Sequence, residues 1–248
     1  MQGNVEKNLL ERIRQKGAVH LTLLDPEKVD VKAGAEVAAF AEKCGTGAMM
    51  VGGSTATSTQ HLDSLIREIK VNVKIPVILF PNDITGISRY ADAIFFMSLL
   101  NSSNPYYIVG AQALGAPLVK KYGLEPIPLA YLILGESLTS VGYIGYAHPI
   151  PFSKPELASM YALAAQHLGM RFIYLEAGSG AEKPVPPNVI KVVSSTVDVP
   201  VIVGGGIRSP KDARRAVEAG AKVVVTGTVV EEASSGKVRK LIQSVGKA

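Results

Sequence analysis

The sequence predicts an α/β fold, a modified (β/α)8 TIM barrel in which the helix after the third strand is missing or reduced. Three observations predict it. Short apolar runs recur eight times, at residues 19–24, 48–51, 77–80, 93–98, 128–134, 172–175, 201–203 and 223–225. Most of them show no apolar/polar alternation, so both faces are buried, as in a parallel sheet covered by helices. Between the runs come Gly-, Pro- or Ser-rich turns and then helix-period segments, and eight such units in 248 residues suit a closed barrel. A doubly wound open sheet is the structural alternative with the same rhythm.

The elements follow in order. Residues 1–16 are amphipathic and charged, and predict a helix over 4–16 ahead of the first strand. Thr57 with Gln60, and Ser153 with Glu156, each have the spacing of a capping box before an apolar-periodic segment. Ser209-Pro210 reads as an N-cap followed by proline at the first helical position. Gly169 and Gly220 stand where glycines close helices. The connection over 81–92 is too short for a loop, a helix and a second loop, and Gly86 interrupts it, so the third barrel helix is expected to be lost or shortened. The connection over 135–169 is long, and its first half holds Tyr143, Tyr146, His148, Pro149 and Pro151; long loops in compact domains are usually functional. No domain boundary appears, so one barrel domain is expected over 1–248.

Composition narrows the function. Charged residues are 19% of the chain, below the roughly 25% of an average soluble protein, and apolar residues are 47%. The net charge of +5 is spread out, tryptophan is absent, and no basic block is interleaved with aromatics, so a nucleic-acid partner is not expected. The longest apolar run, 93–100, falls far short of the roughly 18 residues a membrane helix needs. Cys44 is the single cysteine, which excludes an intrachain disulfide and suggests a reducing, cytoplasmic setting. The low charge suggests surface buried in an oligomer or an apolar groove.

Active sites of such barrels lie at the C-terminal ends of the strands. After the seventh run comes Gly204-Gly205-Gly206-Ile207, and after the eighth Thr226-Gly227-Thr228. Glycines let backbone N–H groups approach an anion, helix N-termini favour negative charge, and these two loops are the usual phosphate site. After the sixth run, Glu176 is followed by Ala177-Gly178-Ser179-Gly180, a carboxylate beside a loop able to embrace a polyol phosphate. A partly buried Glu there suits a general base. Asp25 after the first run and Ser54 after the second come from neighbouring strands, and a carboxylate with a hydroxyl suits Mg2+. The bland readings are tight turns, a surface Glu, an Asp-Pro turn and a Ser N-cap. His20, His61, His148 and His167 lack ligand spacing. The basic C-terminal stretch reads as the solvated face of the last helix.

Taken together, these motifs carry a resemblance. The run from His20 through Leu21-Thr22-Leu23-Leu24-Asp25-Pro26-Glu27 to Lys28, then Val51-Gly52-Gly53-Ser54, then Tyr174-Leu175-Glu176-Ala177-Gly178-Ser179-Gly180, with the GGGI and TGT turns, resembles the geranylgeranylglyceryl phosphate synthase family over nearly the whole length. The resemblance implies Mg2+-dependent transfer of a geranylgeranyl group from geranylgeranyl diphosphate to the C3 hydroxyl of sn-glycerol 1-phosphate, the first ether bond of archaeal membrane lipids. It implies Asp25 and Ser54 as Mg2+ ligands. It implies Tyr174, Leu175, Glu176, Ala177, Gly178, Ser179, Gly180, Gly205, Gly206, Gly227 and Thr228 around the glycerol phosphate. Glu176 falls at the carboxylate that orients or deprotonates the hydroxyl, and Tyr131 at a tyrosine facing the developing allylic cation. Some members carry Lys two residues before the Asp of the first motif; here it is Leu23. The prenyl tail needs an apolar trough, for which the missing third helix and the Tyr-rich segment 143–146 are the candidates. A homo-oligomer, and a lipid product that brings the enzyme to a membrane surface, are further expectations. The alternatives are another phosphate-binding barrel enzyme, such as a sugar-phosphate isomerase, with Asp25 as a second acid/base group opposite Glu176, and a non-catalytic metabolite-binding barrel.

Overall fold

The computed structural model describes residues 2–53, 58–136, 139–227 and 235–246. Eight parallel strands close into a barrel in chain order: β1 (Val19–Leu24), β2 (Ala48–Val51), β3 (Val77–Leu79), β4 (Ala93–Leu99), β5 (Glu125–Ile133), β6 (Phe172–Glu176), β7 (Val201–Gly204) and β8 (Val223–Thr226). β8 pairs with β1 in the register Val19↔Val223 to Thr22↔Thr226, which closes the barrel and excludes the doubly wound alternative. All eight apolar runs are strands. Side chains alternate between two cores. One fills the barrel, with Leu21, Met50, Phe95, Phe172 and Tyr174 among its members; the other lies between the strands and the helices, with Leu24, Met49, Leu132, Leu175 and Val203. Strand β5 starts earlier than its apolar run because Pro126 and Pro128 fall where it pairs with β4 alone, before the pairing with β6 begins at Leu129. A proline N–H is not missed there.

Helix α1 (Asn4–Lys16) closes the N-terminal mouth of the barrel. Its Leu9 is fully buried with the interior side chains, and the Glu125 carboxylate accepts from the N–H groups of Val5 and Glu6 at 2.7 and 2.8 Å. The α1 N-terminus is thereby capped from outside the helix, as its orphan N–H groups require. Buried Glu6 pairs with Arg171 at 2.7 Å. One end of the barrel is thus sealed, and the site is confined to the other.

The outer layer is α2 (Val31–Cys44), α3 (Thr59–Asn72), α4 (Ala111–Tyr122), α5 (Ser140–Ile144), α6 (Pro155–His167), α7 (Pro187–Ser194), α8 (Pro210–Glu218) and α9 (Ser235–Val245). After β3 there is only one 3-10 turn, Ile84–Gly86, capped by Asp83; the third barrel helix is absent. Before α4 the chain makes a π-helical turn, Tyr106–Gly110, which the sequence pattern did not foretell. The long fifth connection contains the short helix α5, capped by Thr139. Asn101, Ser102 and Ser103 at the end of β4 hydrogen-bond to carbonyls along this connection, so the loop is fastened to the rim.

The helix starts differ from expectation at two places. Ser209 caps α8, accepting from the N–H of Asp212, with Pro210 next. Ser153 and Glu156 form no capping box: Pro155 takes the first helical position, Lys154 becomes the N-cap, and no side chain caps that end. Helix α3 is capped by Ser58, while Thr57 lies outside the described residues. Among the described residues no helix is long and apolar enough to cross a membrane.

Candidate active site

At the C-terminal ends of the strands lies a cavity of about 470 Å³. Its polar side is built by β6, β7 and β8. Glu176 is the last residue of β6, and strand alternation turns it and Tyr174 inward while Leu175 turns outward. Glu176 Oε1 accepts from the N–H of Gly178 at 2.6 Å. The hydroxyls of Tyr174 and Tyr131 face the same carboxylate and favour its charged form. Burial raises the Glu176 pKa above the ordinary carboxylate value, and these three groups pull it part of the way back. Burial, and then the neighbouring carboxylate, push both tyrosines well above their ordinary value, so they remain protonated. A carboxylate flanked by these three groups yet held proton-hungry is the arrangement a general base needs.

The glycines of the next loop fit around this group. Gly205 has φ +79°, and a Cβ there would collide with Glu176 Oε1 and the Gly178 backbone. Only glycine combines that backbone with that approach. Gly206 and Gly227 also line the cavity, and Arg208 reaches back to the Gly180 carbonyl at 3.2 Å. Behind β8, buried His20 bridges the hydroxyls of Thr46 (3.0 Å) and Thr226 (2.8 Å). Burial lowers its pKa from 6.5 to about 3, so it stays neutral and fixes Thr226 without placing a cation behind the loop.

Next round the rim from β8, Asp25 borders the cavity with Gly52, Gly53 and Lys28; Lys28 Nζ lies 3.6 Å from Asp25 Oδ2, and the Glu27 N–H donates to Oδ1. Beyond it the cavity becomes apolar. It runs through the gap left by the missing helix, past Ile84, Ile87, Phe96, Met97 and Leu99, to Gly115 of α4. Three rings stand between the polar and apolar parts. Phe80 lies 5.4 Å from Tyr131 and 5.5 Å from Tyr174, and the two tyrosines are 5.1 Å apart, centroid to centroid.

The site residues expected from sequence therefore divide. Glu176, Tyr131, Tyr174, Ser179, Gly180, Gly205, Gly206, Gly227 and Asp25 all line one cavity. Leu175 and Ala177 do not: both side chains are buried in the layer between barrel and helices. Gly178 acts through its N–H on Glu176 rather than as lining. Ser54 and Thr228 lie outside the described residues. The Tyr-rich segment contributes in a corrected way. Val141, Ile144 and Gly145 line the cavity, whereas Tyr143 is 73% and Tyr146 59% exposed: α5 turns Tyr143 outward, and Tyr146 lies beyond α5 at φ 51°. Sequence reading missed Phe80, Arg208 and Lys237. Phe80 ended the third apolar run and carried a signal; Lys237, read as solvated, borders the cavity because α9 packs its first turn over the rim.

Comparison with known proteins identifies relatives of this chain. The model of the PcrB family matches residues 11–245. The geranylgeranylglyceryl phosphate synthase of Thermococcus gammatolerans is 55% identical over 98% of this chain and 96% of its own. That of Methanothermobacter thermautotrophicus is 51% identical over 94% of this chain and 96% of its own. A crystal structure of (S)-3-O-geranylgeranylglyceryl phosphate synthase from Thermoplasma acidophilum, in complex with its substrate sn-glycerol-1-phosphate, covers 100% of both chains with a TM-score of 0.94 and 41% identity.

Proposed function

The chain belongs to the PcrB family, and from that premise we propose that it transfers a geranylgeranyl group from its diphosphate to the C3 hydroxyl of sn-glycerol 1-phosphate. The observation that carries this reading is the position of Glu176. It lies between a glycine-lined polar pocket and an apolar channel, where an alcohol held on one side meets an allylic carbon held on the other. A sugar-phosphate isomerase has no use for the channel.

The phosphate of the acceptor sits on the backbone N–H groups around Gly205, Gly206 and Gly227, near the N-terminus of α8. Its glycerol chain then extends along residues 178–180 toward Glu176. With Tyr131, Tyr174 and the Gly178 N–H holding its carboxylate, Glu176 orients the C3 hydroxyl and takes its proton. The hydroxyl oxygen bonds to the first prenyl carbon as that carbon's bond to the diphosphate oxygen breaks, and the bonding pair leaves with the diphosphate. Positive charge developing on the allylic carbon faces the rings of Phe80, Tyr131 and Tyr174, which also exclude water from it. The tail follows the channel through the third-helix gap.

Asp25, with Ser54 as the second expected ligand, would hold Mg2+. A carboxylate beside the small residues Gly52 and Gly53 suits an ion that takes most of its oxygens from water and substrate phosphates. Bound there, Mg2+ would neutralise charge on the departing diphosphate. Leu157, Met160, Tyr161 and Leu168, exposed on and just beyond α6, support the expectation of an oligomer, which light scattering tests.

A two-substrate assay tests the whole reading. Labelled sn-glycerol 1-phosphate and geranylgeranyl diphosphate are supplied with and without Mg2+. The expected result is organic-extractable label that requires Mg2+ and falls by orders of magnitude in Asp25→Asn and Glu176→Gln. No product with donors of ten to thirty-five carbons would overturn it.

A further inference from the structure

Among the described residues, only two buried side-chain polar atoms have no hydrogen-bond partner: Glu6 Oε2 and Gln112 Oε1. Glu6 belongs to the sealed end, where its other oxygen pairs with Arg171. Gln112 is different, because it lines the apolar part of the substrate cavity. A half-satisfied amide in such a place is a cost, and the structure shows what offsets it.

Gln112 Nε2 donates to the carbonyl of Met97 on β4 at 2.5 Å and to that of Tyr107 at 3.2 Å. Both partners are acceptors, so the amide cannot flip, and Oε1 is left without a hydrogen-bond partner. Tyr107 lies in the π-helical turn Tyr106–Gly110. Ser98, buried on β4, donates its hydroxyl to the next carbonyl of that turn, Ile108, at 2.6 Å. A π-helical turn widens the helix by one residue and exchanges ordinary i→i+4 bonds for poorer ones. Here two side chains tie its carbonyls to the neighbouring strand. The turn carries the Tyr107 ring into the cavity wall, where it stacks on Tyr146 of the fifth connection at 6.3 Å and meets Tyr106 edge-on at 5.2 Å.

We infer that Gln112 is a positioning residue for the prenyl donor: with Ser98 it clamps the π-helical turn to β4, fixing the Tyr107 wall of the channel and hence which prenyl chains fit. The inference rests on the transferase reading above. It assigns Gln112 no contact with the reacting atoms. The acceptor site, built on the other side of the barrel, is indifferent to it.

The test uses the full chain, first confirmed to transfer geranylgeranyl groups, and then Gln112→Leu, Gln112→Glu and Ser98→Ala. Glu keeps the shape of Gln but has no N–H to give. Both Gln112 variants are expected to raise the KM for geranylgeranyl diphosphate about tenfold and to flatten the preference among donors of fifteen, twenty and twenty-five carbons. kcat and the KM for sn-glycerol 1-phosphate should stay within about twofold. Ser98→Ala should move the donor KM the same way by a smaller factor, and it decides the matter if the Gln112 variants do not fold. Unchanged donor KM and chain preference, or equal losses toward both substrates, would overturn the clamp while leaving the transferase reading intact. Absence of transfer by the unaltered chain overturns the transferase reading instead, and the clamp with it.

Discussion

From β6 to β8 the rim is built around glycines and one buried carboxylate; from β3 to β5 it is mostly bulky apolar side chains around a gap where a helix is missing. Both regions use the same strand-and-turn unit. In the first, backbone borders the cavity directly, because Gly205 and its neighbours leave no side chain in the way. In the second, backbone is held back, and a channel appears because the connection after β3 has one 3-10 turn where other units have a helix. A polar ligand is gripped by short-range N–H groups that must be placed to a fraction of an ångström. A hydrocarbon tail asks only for dry volume. The difference teaches that one fold builds a polar and an apolar half of a cavity together by removing side chains on one side and a whole helix on the other.

If that division holds, substitutions on the two sides separate by substrate. The largest effect belongs to the group between them. Glu176→Gln should lower kcat by about two to four orders of magnitude, the range of a lost general base, with donor KM little changed. In the unaltered chain the rate should climb with pH as Glu176 loses its proton, above the ordinary carboxylate range. Stability has the opposite sign. A carboxyl whose folded pKa is raised favours the fold below its unfolded value, and that contribution is lost as pH rises through the folded one. Thermal unfolding at neutral pH should therefore show Glu176→Gln as the more stable protein, with the gap closing in acid.

Gly205→Ala comes next. The strain of a non-glycine residue at positive φ, with its collision against Glu176, should raise the acceptor KM at least tenfold and leave donor binding alone, as acceptor titrations would show. On the other side, Gly115→Leu fills the channel beside Ile87, whose Cδ1 would lie 3.0 Å from the new Cβ. Donor KM should rise several-fold, more for longer chains, with acceptor KM constant; an equal rise in both would break the division. The smallest effect is Tyr143→Ala, where steady-state kinetics should find the donor KM unchanged because the ring points to solvent.

The site was legible wherever chemistry is written in local spacing. A carboxylate after an apolar run, followed by small residues, located Glu176, and the glycine turns after the seventh and eighth runs located the polar pocket. Residues whose role depends on a neighbour from another element were not legible. Leu175 stands between two inward-facing residues and was swept into the motif, although strand alternation sends it outward. Nothing in its local sequence marks Gln112, because its two acceptors lie on β4 and in the π-helical turn.

The sequence by itself determined the eight strand-and-turn units, the shortened third one and the strand ends that line the cavity, because burial pattern, turn residues and connection length are local properties of the chain; the pairing of β8 with β1 closed them into a barrel. Only the tertiary structure decided that Tyr131, Tyr174 and Gly178 converge on Glu176, that His20 is neutral behind Thr226, and that a π-helical turn forms one wall of the channel. Those depend on distances between elements far apart in the chain, which are set by how the closed barrel packs.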